Sequence, residues 1–98
     1  MIIGANVKSV EIIKSAFKGE IDYSPLALVS DNEDIMGTYF SSIPVYSKFS
    51  IEKVVEELEI DTVMIVEQTT QKEIDELFAL LHGDDVHNIK IIEMFKNE

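Results

Sequence analysis

The chain has 98 residues, of which 46% are hydrophobic, and 19 acidic residues against 8 lysines give it a formal net charge of −11. This size and composition indicate one globular domain and exclude a disordered chain. The negative charge and the lack of arginine argue against nucleic-acid binding and strong phosphate recognition. The chain has no apolar run near the roughly 18 residues of a membrane span and no cysteine, which fits a cytoplasmic protein.

Residues 1–19 have the pattern that opens a βαβ unit. The first three residues are apolar and run into Gly4, which marks a tight turn. Apolar residues then recur with helical periodicity and are expected to form the buried side of a helix: Val7, Val10, Ile13 and Phe17. Gly19 is expected to end this helix, with a lysine in its last turn.

The middle of the chain predicts two short strands and one polar loop. Residues 26–30, after Pro25, form a nearly unbroken apolar run, which is typical of a parallel strand covered on both faces. Residues 31–42 are predicted to form a polar loop around Gly37. Residues 43–46 follow as a short extended segment, and the proline within it predicts an edge strand.

The second half predicts two helices and two strands. Ser50 is expected to cap a helix with an apolar stripe at helical spacing, and residues 62–66 are expected to form a strand beside the first one. The Thr70–Glu73 pair matches a capping box at the start of the third helix, which Gly83 is expected to end. Residues 88–95 predict the last strand, at an exposed edge.

The order of these elements, βαββαβαβ, predicts an α/β fold with right-handed helical crossovers. We expect a single Rossmann-like domain over residues 1–98, with a five-stranded, mainly parallel sheet in the order 3-2-1-4-5 and helices on both faces. In such sheets ligands bind at the carboxyl ends of the strands, where the strand order reverses.

The turn after the first strand is the first candidate binding site. It reads Gly4, Ala5, Asn6, Val7 and Lys8, and only the first glycine of a G-x-G-x-x-G dinucleotide fingerprint is present. Asn6 can adopt a positive φ, so the turn does not require glycine there, but its side chain would occupy the space that a pyrophosphate needs. Two interpretations stay open: a structural strand–helix turn, and a nucleotide site.

The end of the second strand offers a carboxylate to the same site. Ser30 is followed by Asp31, which is a candidate ligand for ribose hydroxyls, although it lies later in the chain than the usual spacing. An aspartate at such a place is equally typical of turn chemistry.

The end of the fourth strand faces this turn across the site. It supplies Glu67, Gln68 and Thr69. Glu67 would place negative charge close to a bound phosphate, and Lys8 is the cation expected to oppose it. This pattern predicts weak binding of a highly anionic ligand.

Metal and catalytic motifs are not recognisable in the sequence. His82, Asp84, Asp85 and His87 form the one metal-like run, but its histidines lack i, i+4 spacing, so we expect no metal site. The serines lack a nucleophile elbow, and no Tyr-x-x-x-Lys pair occurs. We therefore expect this chain alone not to be catalytic.

Several segments together resemble a known family domain. They are the Gly4-Ala5 turn, the acid after the second strand, Gly37 followed by Ile-Pro-Val at 43–45, and the Ile-Asp-Thr-Val-Met-Ile-Val segment at 60–66 before a capped helix. This order is similar to the Rossmann-like nucleotide-binding domain of CapD-like nucleotide-sugar dehydratases and epimerases of polysaccharide biosynthesis. The resemblance covers essentially the whole chain.

The resemblance implies a function for a longer parent protein. In that family, membrane helices precede this domain, and an NAD-binding, short-chain dehydrogenase-type domain that performs the chemistry follows it. The chain would then be a domain fragment on the cytoplasmic side of a membrane-anchored enzyme. It would bind NAD or another nucleotide weakly, with no metal, or act as a regulatory or assembly module.

Two alternatives remain open at this point. One is the nucleotide-sugar-binding N-terminal domain of a sugar acyltransferase, and the other is an interaction domain without a ligand. The expected partners are a nucleotide or nucleotide sugar, together with either a second copy of the chain or a catalytic domain.

Overall fold

The computed structural model describes residues 1–82 and 89–94, except for the side chain of His82. The strands are β1 (Ile2–Ile3), β2 (Leu28–Val29), β3 (Tyr39–Phe40), β4 (Ile43–Tyr46), β5 (Thr62–Ile65) and β6 (Lys90–Glu93). The helices are α1 (Val7–Phe17), α2 (Ile51–Glu57) and α3 (Gln71–His82), with a 3₁₀ turn at Lys48–Ser50 before α2. Within these residues, no helix is long and apolar enough to cross a membrane.

The six strands form one mixed sheet in the order β3-β4-β2-β1-β5-β6. All neighbours are parallel except β3 and β4, which form an antiparallel hairpin. β1 lies between β2 and β5, with Ile2 in register with both Leu28 and Met64. The fold is therefore α/β, with a mostly parallel sheet and flanking helices.

The predicted strand count of five and the predicted order are wrong because the loop at 31–42 contains β3. A two-residue turn joins β3 to β4, and both of its residues, Ser41 and Ser42, have positive φ (51° and 73°). Such turns usually carry Asn-Gly, so the pair of serines gave no hairpin signal. β4 consequently lies between β3 and β2 and is not an edge strand.

Helices cover both faces of the sheet, as predicted. Alternate strand residues point to opposite faces, so each face has its own hydrophobic cluster. The α2–α3 side contains Met1, Ile3, Ala27, Val29, Ile51, Val54, Val55, Ile60, Val63, Ile65, Ile74, Leu81 and Ile89. The α1 side contains Ile2, Ile12, Ile13, Leu28, Ile43, Val45 and Val66.

The predicted buried side of α1 is confirmed for Ile13 and wrong for Val7 and Phe17. The buried residues are Ser9, Ile12 and Ile13, whereas Val7 and Phe17 are 74% and 63% exposed. The Ser9 amide donates a hydrogen bond to the side chain of the N-cap residue, Asn6, and Asn6 Nδ2 donates to Val66 O at the end of β5. This anchored cap fixes the rotation of α1 and turns Ser9, Ile12 and Ile13 toward the sheet. Apolar residues therefore occupy both sides of this helix.

The predicted helix ends are confirmed in part. Gly19 follows α1 with φ of 76°, and the Thr70–Glu73 capping box is present in both directions. Ser50 precedes α2 but makes no capping bond; instead Ser47 Oγ accepts a hydrogen bond from the Phe49 amide and begins the 3₁₀ turn. The predicted end at Gly83 lies outside the described residues.

Replacing Glu59 by glycine is expected to stabilise the chain by about 1 kcal/mol. Glu59 follows the last turn of α2 with φ of 52°, and the next amide, Ile60 N, donates to Val55 O at 3.0 Å. Glycine adopts this left-handed conformation without the steric cost of a Cβ atom. Urea unfolding measures the gain, and Glu59→Gln, which removes only the charge, is the control. An equal gain in both variants would assign the effect to charge and contradict this explanation.

Candidate functional site

The carboxyl ends of β1, β2 and β5 meet at one edge of the sheet, where the chain reverses its strand order. This is the place where open α/β sheets bind ligands. The predicted site residues belong to three segments that directly follow these strands. We refer to residues 4–8, 30–31 and 67–69 together as the switch-point site.

Gly4 allows the end of β5 to approach the β1–α1 turn closely. Its φ is 118°, and its amide donates to Val29 O of β2 at 2.9 Å. A Cβ atom at this position would lie only 3.0 Å from Glu67 Cβ and 3.0 Å from Val66 Cγ2. The close approach of β5 therefore requires glycine at position 4 whether or not a nucleotide binds.

Asn6 caps α1 in an extended conformation and does not use the positive φ that asparagine can adopt. Its φ is −153°, its Oδ1 accepts from Ser9 N at 3.1 Å, and its Nδ2 donates to Val66 O at 3.1 Å. Ser9 Oγ completes a capping box by accepting from Asn6 N at 2.8 Å. A helix N-terminus binds anions through its free amides, and the chain itself occupies the Ser9 amide.

The remaining residues of this turn do not converge on the site. Ala5 packs against the α1-side cluster, and Val7 is exposed. Lys8 lines a groove of about 330 Å³ alongside α1, together with Met64 and Met94. The lysine whose charge acts on Glu67 is Lys48.

Lys48 is the cation beside the switch-point site, and it was not predicted from the sequence. Its Nζ lies 3.0 Å from Asp31 Oδ2 and 3.8 Å from Glu73 Oε2. Lys48 follows β4, whose carboxyl end lies beside that of β2 because the two strands are parallel. Once the strands predicted at 26–30 and 43–46 are taken as parallel neighbours, the sequence does point to the residues that follow position 46.

The electrostatics of the site disfavour additional negative charge. Partial burial raises the pKa of the Glu67 carboxyl, the charge of Asp31 raises it further, and Lys48 lowers it in part. The hydrogen bond to Asp31 raises the pKa of Lys48. Hydrogen bonds from Thr70 lower the pKa of Glu73, which therefore stays ionised. One lysine thus faces three carboxyl groups, and a phosphate would be weakly attracted.

The polar residues beside these carboxylates mainly hold the loops in place. Ser30 is buried, and its Oγ accepts from Asn32 N at 3.0 Å. The Thr69 hydroxyl donates to Glu67 O at 2.9 Å, whereas Gln68 is exposed. Asp31 and Gln68 thus have side chains that can reach a ligand in solvent.

A metal site is not formed by the described residues. Within 1–82 and 89–94, no three His, Asp or Glu side chains are grouped so that they could hold a metal ion. The side chains of the run from His82 to His87 lie outside the described part, so the expected lack of a metal stays a prediction.

Comparisons with known proteins leave the fold and the geometry as the basis for a functional assignment. No family model matches the chain, and no match was found among curated proteins or among solved structures.

Proposed function

We propose that this chain is a non-catalytic Rossmann-like domain of a nucleotide-sugar dehydratase or epimerase of polysaccharide biosynthesis. In this proposal it holds a nucleotide weakly at the switch-point site and serves as a regulatory or assembly module. The catalytic chemistry belongs to another domain of the parent enzyme, which uses NAD.

The observation that carries the proposal is the pairing of a glycine turn with a carboxylate at one sheet edge. Gly4 ends β1 and leads directly into α1, while Asp31 follows the neighbouring strand β2. In dinucleotide-binding folds, the turn receives the pyrophosphate and the acid receives the ribose hydroxyls. Asp31 is mostly exposed, and its bond to Lys48 uses only one carboxylate oxygen.

The same geometry explains why the affinity should be low. The Ser9 amide at the N-terminus of α1 is already bonded to Asn6, and Glu67 lies against the turn. The helix dipole and one lysine contribute about 1–2 kcal/mol, which one partly desolvated like charge could cancel. We therefore expect NAD to bind in the high micromolar range or more weakly.

Replacing Glu67 by glutamine is expected to tighten NAD binding about tenfold, which corresponds to roughly 1.4 kcal/mol. The change removes a partly buried negative charge and keeps the shape of the side chain. Asn6 is left in place because its side chain caps α1. Calorimetric titration with NAD measures the effect, and Glu57→Gln, an exposed position at the end of α2, is the control.

Replacing Asp31 by asparagine should act in the opposite direction. If Asp31 accepts hydrogen bonds from ribose hydroxyls, Asp31→Asn weakens NAD binding although it removes the same charge. Tighter binding in both variants would show that only net charge matters and would contradict the proposed site. Complete absence of binding by NAD and by a UDP-sugar would instead favour the interaction domain without a ligand.

A further inference from the structure

α1 presents an apolar stripe to solvent that the rest of the described chain does not cover. Val7, Val10, Lys14 and Phe17 follow i, i+3, i+7, i+10 spacing and therefore lie on one side of the helix. Val7 and Phe17 are 74% and 63% exposed, and Val10 is half-buried. The opposite side of α1 is already packed on the sheet. A helix with apolar residues on both sides is typically buried on both sides.

The charge of this surface is opposite to that of the chain as a whole. α1 and its C-cap residue carry three lysines and a single glutamate: Lys8, Lys14, Lys18 and Glu11. The chain as a whole has a net charge of −11. The stripe on α1 is thus an apolar surface flanked by positive charge, and it is complementary to an acidic, partly apolar surface.

α3 offers such a surface on the opposite face of the sheet. Glu73, Glu76 and Leu80 lie on one side of this helix at i, i+3, i+7 spacing, all exposed, and Leu80 is 44% exposed. α3 has 12 residues and α1 has 11, so their lengths match at about 16–18 Å. α2 is also acidic but has only 7 residues, and the exposed large apolar residue next to it is its C-cap residue, Leu58, at 37%.

We propose that the occupant of the α1 stripe is α3 of a second copy of this chain. Lys14 of one copy then lies against Glu76 of the next, and Phe17 packs beside Leu80. Because α1 and α3 cover opposite faces of the same sheet, the contact is head-to-tail and repeats along a stack of chains.

The association should be weak and dependent on concentration. A contact between two short helices is smaller than the interfaces of stable dimers, which bury about 1,200–2,000 Å². At about 0.15 M salt the Debye length is about 8 Å, so salt screens the long-range repulsion between two acidic copies more than the attraction between the contacting lysine and glutamate. Sedimentation equilibrium from about 10 µM to 1 mM should therefore show an average mass that rises above the monomer mass.

Charge reversal on each helix tests the head-to-tail contact. Lys14→Glu and Glu76→Lys are each expected to be monomeric, because each variant places like charges at the contact. An equimolar mixture should regain association, since the reversed α1 of one variant then fits the reversed α3 of the other. The matched controls are Lys53→Glu and Glu57→Lys on α2, which alter net charge equally and should associate like the unmodified chain.

The possible results separate the occupants of the stripe. Loss of association in both the α1 and the α3 variant, with recovery when the two are mixed, supports the proposal. Phe17→Gln, which does not change the charge, should also weaken association. Loss of association in Lys14→Glu alone, with Glu76→Lys associating like the unmodified chain, would indicate an α1–α1 contact and overturn the head-to-tail arrangement. A chain that stays monomeric to 1 mM would assign the stripe to a different partner and overturn the proposal as well.

Discussion

Replacing Gly4 by alanine is expected to destabilise the chain by about 3 kcal/mol or more. The new Cβ atom would lie 3.0 Å from two side-chain carbons, Glu67 Cβ and Val66 Cγ2, and 3.2 Å from the Glu67 amide nitrogen. Overpacking of this kind costs about 1–3 kcal/mol. A non-glycine residue at φ of 118° adds about 1–3 kcal/mol of backbone strain. Urea unfolding with an unchanged m-value measures the loss.

A second variant, Gly37→Ala, separates the cost of overpacking from the cost of backbone strain. Gly37 also has a positive φ, 79°, but an added Cβ atom would meet nothing within 4 Å. This variant should therefore lose only about 1 kcal/mol through backbone strain. Equal losses in the two variants would mean that the close approach between the β1–α1 turn and the end of β5 contributes nothing.

Acidification from pH 8 to pH 5 is expected to lower the free energy of unfolding by up to about 4 kcal/mol through the Met1 amino group. Burial lowers the pKa of this group from 8.0 to about 5, and the charge of Asp61 offsets part of the effect. The nitrogen donates to Tyr23 Oη at 2.8 Å and to Thr62 O at 2.9 Å. The unfolded chain takes up the proton first, so stability falls between these pH values at about 1.4 kcal/mol per pKa unit.

A chain with one extra glycine before Met1 provides the control. A cavity of about 360 Å³ borders Met1 and is lined by Asp22, Glu59 and Asp61, so an added residue has space to leave the core. Its amino group would sit in a more solvated place and would titrate near its ordinary pKa. The two chains are otherwise identical, so the difference between their stability–pH curves reports the displaced amino group. Curves of equal slope would contradict the buried neutral amine.

The sequence was informative where the structure depends on local signals. The apolar run into Gly4, the position of β1 between β2 and β5, and the capping box of Thr70 with Glu73 were all predicted and are confirmed. β3 was missed because its turn, Ser41-Ser42, adopts positive φ without glycine or asparagine. The buried side of α1 was predicted only in part, because apolar residues occur on both of its sides.

The location of the switch-point site could be predicted from the sequence, but its hydrogen bonds and ion pairs could not. Parallel strands bring their carboxyl ends together, so Gly4, Asp31 and Glu67 could be assigned to one edge from the strand order. The bonds of Asn6 to Ser9 and Val66 depend on tertiary position, and so does the reach of Lys48 to Asp31. Periodicity and propensity carry no information on such contacts.

Nucleotide binding at the switch-point site is tested most directly by titrating the ¹⁵N-labelled chain with NAD and following the amide chemical shifts. We expect fast exchange and a high micromolar Kd, with the largest shift changes at Gly4, Asp31 and Glu67 and their neighbours. Glu67→Gln should show the same pattern at lower NAD concentration. Largest changes at the opposite sheet edge, around Tyr23 and Asp61, or no change at all at millimolar NAD, would contradict nucleotide binding at the switch-point site.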